Sequence, residues 1–117
     1  MKNVTINITG DLYCEKSSQF NIQPMISDNV LKLFSKSDIN IVNLEAPITS
    51  SKYKINKTGP HLKHSNKVFE ILNKLNVNIV TLANNHLMDY GNLGLSDTID
   101  AITKNNIDFV GAGTNSN

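Results

Sequence analysis

The sequence predicts an α/β domain in which a mainly parallel β-sheet is layered against α-helices. Short apolar runs alternate with longer segments of helical periodicity, in the order β-α-β-α-β-α-β. Strands that alternate with helices pair in parallel and are joined by right-handed crossovers. The chain has 117 residues, enough for one hydrophobic core, so we expect a single domain over residues 1–117.

The first half of the chain is predicted to form two strands and one helix. Residues 4–9 alternate apolar and polar side chains and lead into a Gly-Asp pair, which predicts a strand followed by a turn. No clear period is visible over residues 12–24, which indicates a loop. Apolar residues then recur at helical spacing over residues 26–34, and Ser27 is a candidate residue to begin that helix. Residues 39–44 are again typical of a strand.

The second half begins with a polar segment over residues 50–64. This segment is long for a connection in a compact domain, which indicates a functional or mobile loop. Ser65 is predicted to cap the second helix. The apolar run over residues 77–82 predicts the third strand, residues 93–104 have the spacing of a third helix, and residues 107–110 predict the fourth strand.

Composition and charge exclude several classes of protein. Hydrophobic residues make up 39% of the chain and charged residues 18%, which is typical of a globular protein. The net charge of +1 predicts no strong attraction to nucleic acid or to an anionic membrane, and no apolar run is long enough to span a bilayer. The N-terminus enters a strand pattern without the apolar core of a signal peptide, which favours a cytoplasmic protein. The single cysteine excludes an internal disulfide framework.

Polar residues that could carry chemistry follow each predicted strand. They are Asp11 after the first strand, Asn43 and Glu45 after the second, Asn84, Asn85, His86 and Asp89 after the third, and the Gly111-Ala112-Gly113 turn after the fourth. Because the carboxyl ends of parallel strands meet at one edge of the sheet, we expect the side chains of this set to converge. The glycine turn is short for a phosphate cradle and more typical of a close backbone approach.

The chemistry of this set suits a divalent metal ion such as Mn²⁺, Zn²⁺, Fe²⁺ or Mg²⁺. Two ions bridged by one carboxylate could activate a water, and a neighbouring histidine could donate a proton to the leaving group. Structural interpretations are also open: Asp11 as a turn residue, Glu45 as a surface residue, Asn84-Asn85 as turn chemistry and His86 as a satisfied loop histidine. Recurrence at three successive strand ends favours the functional interpretation of these residues, whereas Asp89 is expected to shape its loop rather than to carry chemistry.

Other polar residues are weaker candidates. His61 and His64 are spaced like metal ligands, but no carboxylate or cysteine partner is nearby in the sequence. Cys14 lies close to Asp11, but nothing marks its thiol as activated. Lys57 could reach an anionic substrate or be a solvated loop residue. Every basic residue is a lysine, so any phosphate bound here is not held by an arginine fork.

Several of these motifs resemble, in the same order along the chain, the CapA family of bacterial poly-γ-glutamate capsule synthesis proteins. That family is related to the calcineurin-like metallophosphoesterases. The motifs are Gly10-Asp11, Asn43-Leu44-Glu45, Lys57 with Gly59-Pro60, Ala83-Asn84-Asn85-His86 with Asp89 and Gly91, Thr98, and Gly111-Ala112-Gly113-Thr114-Asn115. The resemblance covers essentially the whole chain and implies the N-terminal portion of a metallophosphoesterase-like α/β sandwich.

The resemblance also implies roles for individual residues. Asp11, Glu45 and Asn85 match metal-binding positions, with Glu45 where the bridging carboxylate is expected. His86 matches the adjacent histidine that assists the leaving group. The residues expected to contact the substrate are Asn43, Lys57 and Asn84.

Two departures from the superfamily pattern limit what the resemblance implies. A histidine is usual two places after the first aspartate, and Tyr13 occupies that place here. Further histidine ligands follow later strands in the superfamily, whereas the resemblance here runs up to Asn115, so we expect the N-terminal part of a longer protein. A half-sheet would expose an edge and apolar surface, which predicts association with a second copy of the chain or with a partner, or else only marginal stability.

These observations predict a CapA-like protein of capsule biosynthesis with a metal-dependent hydrolase site, acting on a phosphate ester or an amide of an anionic polymer. The alternative is a non-catalytic component of envelope polymer synthesis, in which the same loops bind the polymer or an assembly partner. A small nucleotide-binding domain is a third and weaker hypothesis, because no glycine-rich loop of the right spacing follows the first strand.

Overall fold

The computed structural model describes residues 2–14 and 26–115 and confirms the predicted layered α/β architecture. Its elements are β1 (Ile6–Leu12), α1 (Asp28–Ser35), β2 (Ile39–Leu44), α2 (Val68–Lys74), β3 (Ile79–Thr81), α3 (Gly91–Lys104) and β4 (Asp108–Val110). The strands form one parallel sheet in the order β1-β2-β3-β4. Most of the predicted loop over residues 12–24 lies outside the described residues.

The first two helices begin in different ways. α1 follows Ser27, whose side chain accepts a hydrogen bond from the Val30 amide, as predicted. The predicted cap of α2 is wrong, because that helix begins at Val68 behind Lys67. The Ser65 hydroxyl instead accepts from the Lys67 amide and so shapes the turn that leads into the helix.

β1 runs further than the sequence predicts. Gly10 and Asp11, predicted to form a turn, are part of the strand. The register with β2 passes from Ile8 opposite Ile41 to Asp11 opposite Asn43, so β1 accommodates one extra residue in a bulge. The turn prediction is wrong because pairing with β2 continues through the Gly-Asp pair. The bulge places Asp11 beside the carboxyl end of β2.

The hydrophobic core lies between one face of the sheet and the helices. Alternate residues of the central strands are buried there, among them Val42, Leu44 and Val80, none of which is more than 1% exposed. Most of the buried hydrophobic residues belong to a single cluster that spans sheet and helices. The helices contribute Phe34, Phe69, Ile71, Leu72 and Ile102 to this cluster.

The opposite face of the sheet carries apolar side chains that remain exposed. Ile6 is 50% exposed, Ile8 76% and Val110 54%. Ile41 and Ile79 are in register with Ile8 and are only partly buried. We call the surface formed by these five residues the bare sheet face.

α3 begins two residues before its predicted start. Gly91 has a φ of +62°, and its amide donates to the Met88 carbonyl at 2.8 Å, so the turn leads directly into the helix. The helix ends at Lys104, and Asn106 adopts the left-handed conformation with a φ of +54°. Within residues 2–14 and 26–115, no helix is long and apolar enough to cross a membrane.

Candidate functional site

The loop over residues 83–90 joins β3 to α3, and Asn84 ties it to the neighbouring strand. The Asn84 amide nitrogen donates to the Leu44 carbonyl at 2.9 Å. Its oxygen accepts from the backbone amides of Ala46 at 3.4 Å and His86 at 3.1 Å. These bonds hold the exits of β2 and β3 together. They also occupy both polar ends of the side chain, so the expected substrate contact of Asn84 stays a prediction.

His86 lies between two carboxylates. Its Nδ1 is 2.8 Å from Oδ2 of Asp89, and its Nε2 is 3.8 Å from Oε1 of Glu45. His86 is 9% exposed, and Asp89 is fully buried. Because a carboxylate only accepts hydrogen bonds, a neutral His86 carries its proton on Nδ1 and turns Nε2 towards Glu45. The imidazole can therefore take up and release a proton at Nε2.

Asp89 accepts from three groups at once. The Leu62 amide donates to it at 2.7 Å, His86 donates to the same oxygen, and Lys57 forms an ion pair with the other. Burial alone raises the pKa of Asp89, but these hydrogen bonds outweigh burial and hold the pKa below its ordinary value. The sequence alone predicts only that Asp89 shapes its loop. Its spacing of three residues from His86 is the signal that could have revealed the contact.

Lys57 reaches the site from the long polar loop. Its Nζ pairs with Asp89 and lies 3.4 Å from Nδ1 of His86. The ammonium that is expected to meet an anionic substrate therefore already neutralises a buried carboxylate. Substrate contact by Lys57 stays a prediction, whereas its support of Asp89 is a feature of the structure.

A row of polar side chains crosses the sheet beside this cluster. The Asn43 amide nitrogen donates to Oδ1 of Asp11 at 2.6 Å, and the Thr81 hydroxyl donates to the Asn43 oxygen at 2.9 Å. The three residues are in register on neighbouring strands. Asn43 thus orients the exposed Asp11 carboxylate, and its expected contact with substrate stays a prediction.

The predicted metal ligands come together only in part. Glu45 faces His86, Asp11 is held by Asn43, and Asn85 is exposed. Their oxygen atoms are donors of the type that hard divalent ions prefer. Among residues 2–14 and 26–115, no group of three or more His, Cys, Asp or Glu side chains is placed to hold a metal ion. The donors fit a metal ion by type, and the metal centre stays a proposal.

The two histidines of the long loop bind backbone carbonyls. His64 is 1% exposed, and its Nε2 donates to the Glu45 carbonyl at 2.7 Å. Its own backbone amide and carbonyl bond to residues 47–49. Burial lowers the pKa of His64, which keeps the imidazole neutral. His61 Nε2 donates to the Ile55 carbonyl at 2.8 Å.

Two further candidates have structural explanations. Burial raises the pKa of the Cys14 thiol, which disfavours the reactive thiolate. Gly111 has a φ of +88°, and a Cβ at this position would lie 2.8 Å from Cβ of Ala83. The backbone segments that follow β3 and β4 thus pack so closely that only glycine fits. This close packing explains the glycine turn, so no phosphate-binding role is needed to account for it.

The fold and this cluster define a parallel α/β domain with a polar site at the carboxyl ends of its strands, where such domains bind ligands. The comparison with protein families identifies it further. The chain belongs to the family described as bacterial capsule synthesis protein PGA_cap, whose profile matches residues 5–117. This match confirms the resemblance to CapA proteins.

Individual relatives agree with the family assignment. The chain is 34% identical over 115 residues to the PGA biosynthesis protein CapA of Bacillus subtilis (strain 168), covering 94% of this chain and 30% of that protein. It is 27% identical over 121 residues to the capsule biosynthesis protein CapA of Bacillus anthracis, covering 97% of this chain and 29% of that protein. A probable polyglutamine synthesis accessory protein of Mycobacterium tuberculosis is 36% identical over 78 residues, or 66% of this chain and 20% of that protein. The chain thus spans less than a third of the length of these relatives.

Proposed function

We propose that this chain serves the biosynthesis of a capsule-type anionic polymer through a metal-dependent hydrolase site. The names of the two Bacillus relatives, which refer to PGA and capsule biosynthesis, support the polymer context. The observation that carries the hydrolase assignment is His86, held between the buried Asp89 and Glu45. The proposed reaction is hydrolysis of a phosphate ester or an amide of the polymer.

In this proposal His86 donates a proton from Nε2 to the leaving group. Asp89 accepts the hydrogen bond from Nδ1 and orients the ring. Lys57 pairs with Asp89 and favours its charged form, so the carboxylate does not take the proton itself. Glu45 lies 3.8 Å from Nε2, the proposed donor atom.

Asp11, Glu45 and Asn85 would hold the divalent ion. Such an ion would activate the attacking water and polarise the bond to be cleaved. Asn43 acts as a positioning residue, because its 2.6 Å hydrogen bond holds one oxygen of Asp11 and leaves the other available. Asn84 positions the loop that presents Asn85 and His86.

Titration calorimetry with Mn²⁺ or Zn²⁺ tests the metal site. Asp11→Ala and Glu45→Ala should each weaken binding by at least about tenfold, because each removes a charged ligand. Asp100→Ala, an exposed acid on α3, is the matched control and should bind as the unmodified chain does. Unchanged binding in both site variants would refute the assignment.

A second measurement tests the role of His86 separately. His86→Ala should lower the turnover of a generic phosphodiester while metal binding persists, because the imidazole supplies a proton rather than a ligand. Loss of metal binding in this variant would instead make His86 a ligand.

The second candidate function is a non-catalytic component that binds the polymer or an assembly partner. It is favoured by Tyr13 at the place of the usual histidine, and by the shortage of clustered ligands among the described residues. Polymer binding in the presence of a chelator, without turnover of a phosphodiester, would support this function. Turnover that depends on metal would exclude it.

A further inference from the structure

The segment between Glu45 and Glu70 carries a concentration of positive charge, of which the proposed chemistry uses only Lys57. Residues 46–69 contain five of the eleven lysines and none of the ten acidic residues. The net charge of the whole chain is only +1, so this charge is balanced by acids elsewhere in the sequence. The lysines of the segment are Lys52, Lys54, Lys57, Lys63 and Lys67.

Two of these lysines already have partners within the fold. Lys57 forms the ion pair with Asp89. Lys63 donates to the Ser51 carbonyl at 2.5 Å, and its Nζ lies 4.6 Å from the centre of the Tyr90 ring. These contacts of the two ammonium groups therefore hold the loop in place.

Lys52 and Lys54 differ from these two lysines, because both are exposed and flank an exposed aromatic ring. The side chain between them, Tyr53, is 82% exposed, the largest exposure among the large apolar and aromatic residues of the described ranges. Burial in the core therefore does not explain the ring at this position. We call the surface formed by Lys52, Tyr53 and Lys54 the lysine edge.

The lysine edge is attached to the candidate site. The Ile55 amide, directly after Lys54, donates to the Asp89 carbonyl at 3.0 Å, and the Ile55 carbonyl accepts from His61. Before it, the Tyr53 amide donates to the Ser51 hydroxyl at 3.1 Å. Hydrogen bonds on both sides thus anchor the edge, and one of them ends on the loop that carries His86.

This surface has the chemistry to bind a chain of repeated carboxylates. A single carboxylate gains little from an exposed lysine. A polymer can engage both ammonium groups at once, and the second contact then forms at high effective concentration. The Tyr53 ring offers apolar area to the methylene groups of such a polymer. Nucleic acid fits less well, because its binding proteins neutralise more phosphates than two lysines can.

We propose that the lysine edge is a docking surface for a polycarboxylate chain beside the His86 site. The proposal rests on the proposed polymer function for its biological context, and it does not require hydrolysis or a metal ion. It extends that function by assigning polymer recognition to residues 52–54 rather than to the acidic residues of the site, which would repel a polyanion.

Fluorescence anisotropy with labelled poly-L-glutamate tests the proposal, in low salt and with a chelator present. We expect saturable binding that weakens as salt is added. The double variant Lys52→Glu/Lys54→Glu should weaken binding by at least about tenfold. The control Lys36→Glu/Lys74→Glu makes the same change of charge at exposed positions beside α1 and in α2, and should change binding by less than about twofold.

Three results would overturn the proposal. They are equal binding by the lysine-edge variant and the unmodified chain, equal binding of the neutral polymer poly(hydroxyethyl-L-glutamine), and tighter binding of single-stranded DNA than of poly-L-glutamate. Failure of this proposal is distinguishable from failure of the hydrolase site, because the binding assay contains a chelator and measures no turnover. Metal binding by Asp11→Ala and Glu45→Ala is measured separately and does not bear on docking at the lysine edge.

Discussion

At the scale of single residues, the Asp89 carboxylate connects segments that are distant in the sequence. Lys57 and Leu62 come from the long loop, and His86 comes from the loop after β3. Because Asp89 is fully buried, its charge is tolerated only while these donors remain in place. One side chain therefore orients the imidazole and closes the loop over it.

Asp89→Asn should lower the free energy of unfolding by about 2–4 kcal/mol. Lys57 loses its charged partner, and the side-chain NH₂ group of the asparagine faces hydrogen-bond donors where the carboxylate oxygen had accepted from them. Urea denaturation at pH 7 measures the change. Asp100→Asn, on the exposed side of α3, is the control and should stay within about 0.5 kcal/mol of the unmodified chain. Equal stability of the two variants would show that the buried network contributes nothing.

His64 predicts a dependence of stability on pH. Burial lowers its pKa in the folded state, so the unfolded chain binds the proton first as the pH falls. Stability should be full above about pH 6.5, the ordinary pKa of histidine, and should decline as the pH falls below it. Urea denaturation between about pH 5 and 8 measures the decline.

The variant His64→Gln should reduce this decline, since it removes the titrating group and keeps a donor for the Glu45 carbonyl. His61→Gln, in the same loop, is the matched control and should keep the decline. A decline that persists unchanged in His64→Gln would assign it to other groups.

At the scale of elements, α3 holds the segment that leaves β2. The buried Thr98 hydroxyl accepts from the Ile48 amide at 2.9 Å and donates to the Gly94 carbonyl at 2.6 Å. Ile48 in turn forms a backbone bridge with His64, which donates to the Glu45 carbonyl. Thr98 therefore helps to set the position of Glu45 from the far side of the loop. In the sequence, only the family resemblance marks this threonine.

Thr98→Val should destabilise the fold by about 1–3 kcal/mol, because it leaves the buried Ile48 amide without an acceptor at nearly constant side-chain volume. Thr98→Ser keeps the hydroxyl and should recover part of the loss. Thr103→Val on the same helix removes a hydroxyl that bonds to Ile99 at an exposed position, so it serves as the control. Thermal and urea unfolding of the three variants measure the effect, and a loss in Thr103→Val as large as in Thr98→Val would contradict it.

In the molecule as a whole, the helices of the described ranges cover only one face of the sheet. The bare sheet face leaves Ile6, Ile8 and Val110 at least half exposed. Contiguous apolar surface of this kind is typical of an interface, and β1 and β4 are the edge strands of the sheet in the described residues. The expected association with a second copy or a partner stays a prediction.

Sedimentation velocity over a range of concentrations tests this association. We expect the unmodified chain to self-associate, and Ile8→Lys to reduce the association because it places a charge on the bare sheet face. Leu33→Lys introduces the same charge at an exposed apolar position of α1, on the helical side, and should leave association unchanged. A chain that is monomeric at every concentration and highly stable to heat would contradict the prediction.

Local patterns predicted most of the fold correctly. The spacing of apolar residues gave the type and order of every described element, because strand and helix periodicity depend on neighbours in the sequence. Errors occurred where tertiary pairing overrides local preference. Gly10 and Asp11 have turn chemistry but lie in β1, since β2 supplies backbone partners. Ser65 is a good capping residue but lies before the helix that it is predicted to cap.

The candidate site, like the fold, could be predicted in part from local sequence. The sequence alone identifies the polar residues that follow the strands, and parallel topology brings the carboxyl ends of those strands to one edge. The partners of these residues become visible only in the folded chain: His86 with Asp89 and Glu45, and Lys57 with a buried carboxylate rather than with solvent. Hydrogen bonds and ion pairs depend on distances of a few ångströms between side chains remote in sequence, and no local pattern encodes those distances.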